Sequence, residues 1–141
     1  MSQSPKQVVE TMIGAMNRGD LDTAMALIAP DAVDHAPVPG QAPGVEGWRA
    51  KWEMMGTAFP DVHFAIEESI EVGDTVATRY SMRGTHTGDF MGMPPTGRTF
   101  EALTLDMIHV RDGKVVEHWG LIDQMAMMAQ LGLLPAPDPT P

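Results

Sequence analysis

The sequence predicts an α+β domain in which N-terminal helices are followed by long, mostly antiparallel strands. Three observations predict it: apolar residues recur at helical spacing through the first third of the chain, the period changes to two from Val62 onward, and a tight Asp112-Gly113 turn joins two long strands near the end. A length of 141 residues with 43% hydrophobic content suits one domain, expected over 1–133, with a disordered tail at 134–141 that ends in PAPDPTP.

Ser4-Pro5-Lys6-Gln7 opens the first helix, because a serine N-cap, a proline at the first helical position and a glutamine three residues after the serine satisfy the orphan amides there. Val8, Val9, Met12, Ile13 and Met16 then share one face as far as Gly19. Asp20 caps a second helix whose Leu21, Ala24, Met25 and Ile28 continue to Pro30. A short extended piece is expected around Val33, and three prolines and two glycines between Pro37 and Gly44 mark a loop. In the third helix Trp48, Trp52, Met55 and Phe59 form an apolar stripe that Pro60 terminates.

Val62, Phe64, Ile66, Ile70 and Val72 alternate with polar residues up to Gly73-Asp74, and Val76, Tyr80 and Met82 continue beyond. A two-residue loop would pair Val72 with Thr75 and set the two apolar groups on opposite faces. A three-residue loop pairing Val72 with Val76 unites them, so it is the expectation, and it places His86 on the apolar face. The glycine- and proline-rich segment Gly88 to Gly97 reads as a mobile flap over the pocket mouth, with Met91 and Met93 closing on a flat ligand. Strands from Arg98 to Arg111 and from Lys114 to about Asp123 follow, and a helical turn around Met125 to Leu131 ends at Gly132. Pairing Arg111 with Lys114 puts Asp106, Ile108, Trp119 and Asp123 on one face and Met107, His109, His118 and Ile122 on the other. Neither face is polar, so both need cover and a homodimer is expected.

A net charge of -10, with nine basic residues that form no stripe, opposes nucleic-acid binding. No run approaches the roughly 20 apolar residues of a membrane span, and MSQSPKQ lacks a secretory pattern, so a cytoplasmic protein with no membrane partner is expected. With no cysteine there is no thiolate nucleophile and no cysteine metal site. Thirteen methionines offer flexible apolar filler for a core or for the wall around a bulky ligand.

Asp123, among Leu121, Ile122 and Met125, is the first catalytic candidate, since desolvation would raise its pKa toward a value useful for proton transfer; its alternative is the cap of the last helical turn. Asp106 lies mid-strand among Leu105, Met107 and Ile108, opposite Trp119 in this register, where a carboxylate needs a partner such as Arg79 or Arg98. His109 and His118 fall on one face and lack the spacing of a zinc motif, so no metal is expected, and one of them is a candidate donor to an oxyanion. His35 and His86 are candidate pocket residues near glycine- and proline-rich loops, alongside Trp52, Phe59, Met91, Met107 and Trp119.

The segments "DHAP" at Asp34 to Pro37, "AFPDV" at Ala58 to Val62, "GTHTGDFMGMPPTGR" at Gly84 to Arg98 and "DGKVVEHWGLID" at Asp112 to Asp123, followed by "QLG" at Gln130 to Gly132, resemble the SnoaL-like polyketide and ester cyclases of the NTF2-like superfamily. The resemblance runs over nearly the whole chain. It implies a cone-shaped α+β fold whose strongly curved, mostly antiparallel sheet wraps over the N-terminal helices around an internal pocket, a hydrophobic polyketide or ester as substrate, cofactor-free intramolecular aldol closure, and a carboxylate acid/base at the position of Asp123. It also implies His, Asn or Gln side chains that hold the enolate, and here "DMIHV" sets Met107 and His109 where the family varies.

Two rival functions stay open. An epoxide-opening hydrolase or cyclase of the same fold would need paired carboxylates bridged by an arginine, for which Asp106, Asp123 and Arg79 are the available set. A non-catalytic binding or dimerisation module would need none of them. Which acids share the cavity separates the three.

Overall fold

The computed structural model describes residues 3–134, so the expected tail lies outside the described residues from 135 onward. Helix α1 (Pro5–Asn17) opens as its sequence dictates: the Ser4 hydroxyl accepts the Gln7 amide at 3.2 Å, and the Gln7 side chain accepts the Ser4 amide at 2.9 Å. Asp20 caps α2 (Leu21–Ala26) by accepting the Thr23 amide. Strand β1 (Ile28–Asp34) begins earlier than expected, taking Ile28 out of the second helix and running through Pro30. Proline is tolerated because β1 is an edge strand. After α3 (Gly44–Ala58) come β2 (His63–Val72), β3 (Thr75–Thr85), β4 (Thr99–Arg111), β5 (Lys114–Ile122) and α4 (Gln124–Gln130).

The five strands form one sheet in the order β1-β5-β4-β3-β2, with β1 parallel to β5 and every other pair antiparallel. Its inner face packs on α1, α2 and α3 around Val9, Met12, Ile28, Val76, Ile108 and Val115. No helix among the described residues is long and apolar enough to cross a membrane.

Two bulges decide which side chains reach that inner face. At the β2–β3 hairpin Val72 pairs with Thr75, so the loop has two residues and not the expected three. Gly73 supplies the positive φ of 58° that this turn requires. Ile70 and Val72 consequently sit on the outer face, 55% and 73% exposed, and a register shift between Ile66 and Glu68 turns Phe64 and Ile66 back inward beside Met82 and Tyr80.

The second bulge lies in β5. Val110 pairs with Val115 but His109 pairs with Glu117, leaving Val116 as an extra residue. One extra residue exchanges the faces of everything beyond it, because side chains alternate with period two. The expected register is therefore corrected from Glu117 onward: Asp106 lies opposite Gly120, Ile108 opposite His118, and Met107 opposite Trp119. His118 joins Asp106 on the inner face. His109, Glu117, Trp119 and Leu121 join Met107 on the outer one.

Candidate active site

A cavity of about 400 Å³ lies between the helices and the inner faces of β3, β4 and β5, with Phe90 and Met91 of the 88–97 segment at its rim. Its walls are largely thioether and aromatic, including Met12, Met16, Trp52, Met55, Met82 and Met127. Against that apolar lining Lys51, Tyr80, Thr104, Asp106 and His118 supply the polar groups.

Asp106 is the centre of this set. Its Oδ2 accepts the Tyr80 hydroxyl at 3.0 Å and stands 3.6 Å from His118 Nε2, while its Oδ1 is buried without a partner among the described residues. Thr104 Oγ1 and Trp48 Nε1 are buried and unpartnered there too. A bound molecule with matching donors and acceptors can satisfy these groups. Burial first, then the charge and hydrogen bond of Asp106, pushes the Tyr80 phenol well above its ordinary range, so it remains a donor at any working pH.

His118 spans two acids. Its Nδ1 is 2.9 Å from Asp34 Oδ1 and its Nε2 faces Asp106. Burial disfavours its charged form, but Asp106 and Asp34 outweigh burial and raise its pKa above the ordinary 6.5. Trp48 packs edge-on to the imidazole at 5.3 Å. Gly120 makes the geometry possible, since a Cβ there would lie 2.9 Å from His118 ring atoms and 3.5 Å from Asp106 Cβ. Asp34 Oδ2 in turn accepts Lys51 Nζ at 2.6 Å and Gln41 Nε2 at 2.9 Å, and Oδ1 also accepts the Ala36 amide at 2.9 Å. Burial opposes the charge of Asp34, yet these bonds from His118, Lys51, Gln41 and Ala36 together hold its carboxyl well below the usual range.

The model of the SnoaL-like polyketide cyclase family matches residues 6–131. The chain belongs to this family. A SnoaL-like cyclase 31% identical over 140 residues, covering 95% of this chain and 92% of the relative, is the aklanonic acid methyl ester cyclase DnrD of Streptomyces peucetius. The nogalonic acid methyl ester cyclase of Streptomyces nogalater is 29% identical over 123 residues, covering 86% of this chain and 92% of that protein. Among solved structures, IdmH of Streptomyces antibioticus is 43% identical with a TM-score of 0.82, covering 92% of this chain and 99% of the other. The chain is thus a polyketide cyclase by family and by fold.

Within this cyclase the candidate residues divide sharply. Asp106, His118, Trp52 and Met91 line the cavity. Asp123 does not: it is exposed and caps α4, accepting the Ala126 amide at 3.0 Å. The expected desolvation fails because its neighbours Leu121 and Met125 are themselves 78% and 74% exposed. His109 is on the outer face, 3.6 Å from Glu117, and His35 is there too, 2.7 Å from Glu117 and stacked on Trp119 at 4.6 Å. Met107 and Trp119 are exposed on that same face. Phe59 and His86 are fully buried outside the cavity lining, in a cluster with Phe90 and Phe100. Arg79 lies outside the cavity lining near Glu68, and among the described residues no salt bridge joins it to Asp106 or Asp123.

Sequence reasoning passed over Asp34, Lys51 and Tyr80. Each had a signal: Asp34 alternates with His35 and so faces the opposite way, Lys51 stands three residues after Trp48 on the aromatic stripe, and a buried tyrosine hydroxyl requires a partner.

Proposed function

We propose that this polyketide cyclase closes a ring in the methyl ester of a polyketide acid by intramolecular aldol addition, with Asp106 as the acid/base. The observation that carries the reading is Asp106 Oδ1, an unpartnered carboxylate oxygen in an apolar cavity whose companion oxygen is held by Tyr80 and faces His118. An oxygen with no protein partner is the one left free to take a proton from carbon. A carboxylate base suits a carbon acid already activated by flanking carbonyls, as between an ester and a ketone. The relatives named for methyl ester cyclisation support that substrate class.

The electron pair left on carbon forms the new C–C bond to an acceptor carbonyl in the same molecule. The acceptor's π pair moves to its oxygen, which receives the proton back from Asp106. Atoms and charge balance within substrate and one carboxyl, so proton transfer alone completes the ring. His118 Nε2–H, the Thr104 hydroxyl and the Trp48 N–H are the donors available to the oxyanion. The methionine walls adapt to a bulky polyketide.

The protein works as a homodimer in this reading, supported by an outer sheet face on which Leu103, Leu105, Met107, Trp119 and Leu121 are exposed. Incubation with aklanonic acid methyl ester and nogalonic acid methyl ester, followed by chromatography and mass spectrometry, tests the activity. A new product of unchanged mass is expected, and persistence of both esters would refute the substrate class.

A further inference from the structure

On the side of His118 remote from Asp106 lies an ion pair to which the ring closure proposed above gives no step. Asp34, at the end of β1, has a side chain only 3% exposed, and Lys51 reaches it from α3 with a side chain 10% exposed. We infer that Lys51 and Asp34 are positioning residues whose ion pair fixes the proton on His118 Nδ1 and so sets the charge His118 presents, through Nε2, to Asp106 and the substrate oxygen. The inference rests on Asp106 being the base.

Donor accounting supports it first. An ionised carboxylate only accepts, and Asp34 meets four donors: the Ala36 amide and His118 Nδ1 at Oδ1, Lys51 and Gln41 at Oδ2. Nδ1 must therefore carry a hydrogen, which leaves Nε2 as the titrating nitrogen and aims it at Asp106. The tautomer follows from the neighbours.

Charge balance supports it second. The titratable and charged groups around His118 are Asp34 from β1, Asp106 from β4, Lys51 from α3 behind Asp34, and the Tyr80 phenol from β3 behind Asp106. Two acids face one lysine, and the imidazolium supplies the second positive charge. Lys51 is held for this role: its Nζ stands 5.7 Å from the ring centroids of both Trp48 and Trp52. Removing Asp34's charge leaves the imidazolium with less reason to exist. Removing Lys51 leaves His118 as the sole cation between two carboxylates, and its proton is held more tightly.

The competing view is that Asp34 only ties down the loop through Ala36 and Gln41. The test follows the ¹⁵N signals of the His118 ring, identified by His118→Gln, across pH in the ligand-free whole protein and in Asp34→Asn and Lys51→Met. In the wild type the neutral ring should carry its hydrogen on Nδ1. Asp34→Asn should move the His118 titration down by about one unit or more, as expected for a charge lost within about 4–6 Å, and Lys51→Met should move it up. The alkaline limb of kcat against pH should move in the same two directions. Asparagine accepts the Ala36 amide as aspartate does, so a loop-tying role leaves both readouts where they were. Unmoved titrations in both variants, or a wild-type neutral ring with its hydrogen on Nε2, would overturn the proposal. Should Asp34→Asn not fold, Lys51→Met and the wild-type tautomer decide. Opposite shifts combined with full turnover in Asp106→Asn would keep the positioning pair and remove the base assignment instead.

Discussion

Replacing Asp106 with asparagine removes one ionisable oxygen and changes almost nothing in shape. The amide oxygen can still accept the Tyr80 hydroxyl, which sits 3.0 Å from Oδ2, so the local fold has no cavity to close. What is lost is the proton-accepting Oδ1 and the charge opposite His118 at 3.6 Å. General acid–base catalysis contributes about a hundredfold to ten-thousandfold, so turnover of a polyketide methyl ester should fall by that order, equivalent to about 3 to 5 kcal/mol of barrier. Stability should change less than turnover does, because Tyr80 keeps an acceptor and His118 keeps Asp34 as its partner. Initial rates on aklanonic acid methyl ester and thermal melts of the same preparations measure both. Asp123→Asn is the matched control: asparagine caps a helix about as well as aspartate, so neither rate nor melting temperature should move. Wild-type turnover in Asp106→Asn, or a hundredfold loss in a normally folded Asp123→Asn, would refute the reasoning and return the chemistry to the acid at the end of β5.

Stability should depend on pH through His118. Its folded pKa is raised, so the stabilisation from its imidazolium is complete below the ordinary 6.5 and is lost as pH rises through the folded value, whereas Asp34, held low, loses its contribution only in strong acid. Urea unfolding should accordingly show stability falling as pH rises above the ordinary 6.5 in the wild type, and a flat profile in His118→Asn would tie the slope to this residue. Gly120→Ala puts a methyl 2.9 Å from the imidazole and should cost about 1–3 kcal/mol while lowering kcat more than it changes KM, because the His118 ring must swing away from Asp106; unchanged kinetics would mean the ring has room. Leu121→Glu places a charge on the exposed outer face and should convert a dimer to a monomer in light scattering, and a wild type that is already monomeric at micromolar concentration would remove the dimer.

The helices were legible because their signals are local. Ser4 with Gln7, Asp20 and the aromatic stripe of α3 each act within a turn or two of chain, and the structure uses them as the sequence orders them. The long strands were legible for the same reason, as alternation survives wherever one face is buried. Register was not, because it depends on an event that alternation cannot encode. Val116, the second of two adjacent valines, gives no sign that it is unpaired, yet its bulge decides whether His118 meets Asp106 or turns its back on it. The hairpin at Gly73 misled in the same way: demanding that Val72 and Val76 share a face excluded the two-residue loop that a bulge near Glu67 makes compatible with a buried Phe64.

The choice of catalytic acid shows what resemblance can and cannot transmit. The family motif sets His118 and Asp123 five positions apart in "EHWGLID", and similarity of letters treats them as one constellation. In the fold they part company at the end of β5, where His118 lies over Gly120 toward the cavity and Asp123 turns out to cap α4. The apolar neighbours of Asp123 suggested desolvation only because exposed leucine and methionine were read as buried. Gly120 was the better clue, since a glycine within a strand marks a close approach by something else. Once the glycine is placed opposite Asp106, a histidine two residues before it on the same face has both the space and the partner to become half of a proton-transfer pair. The residue lacking a side chain thereby points to the proposed acid more directly than the apolar neighbours of Asp123 point to theirs.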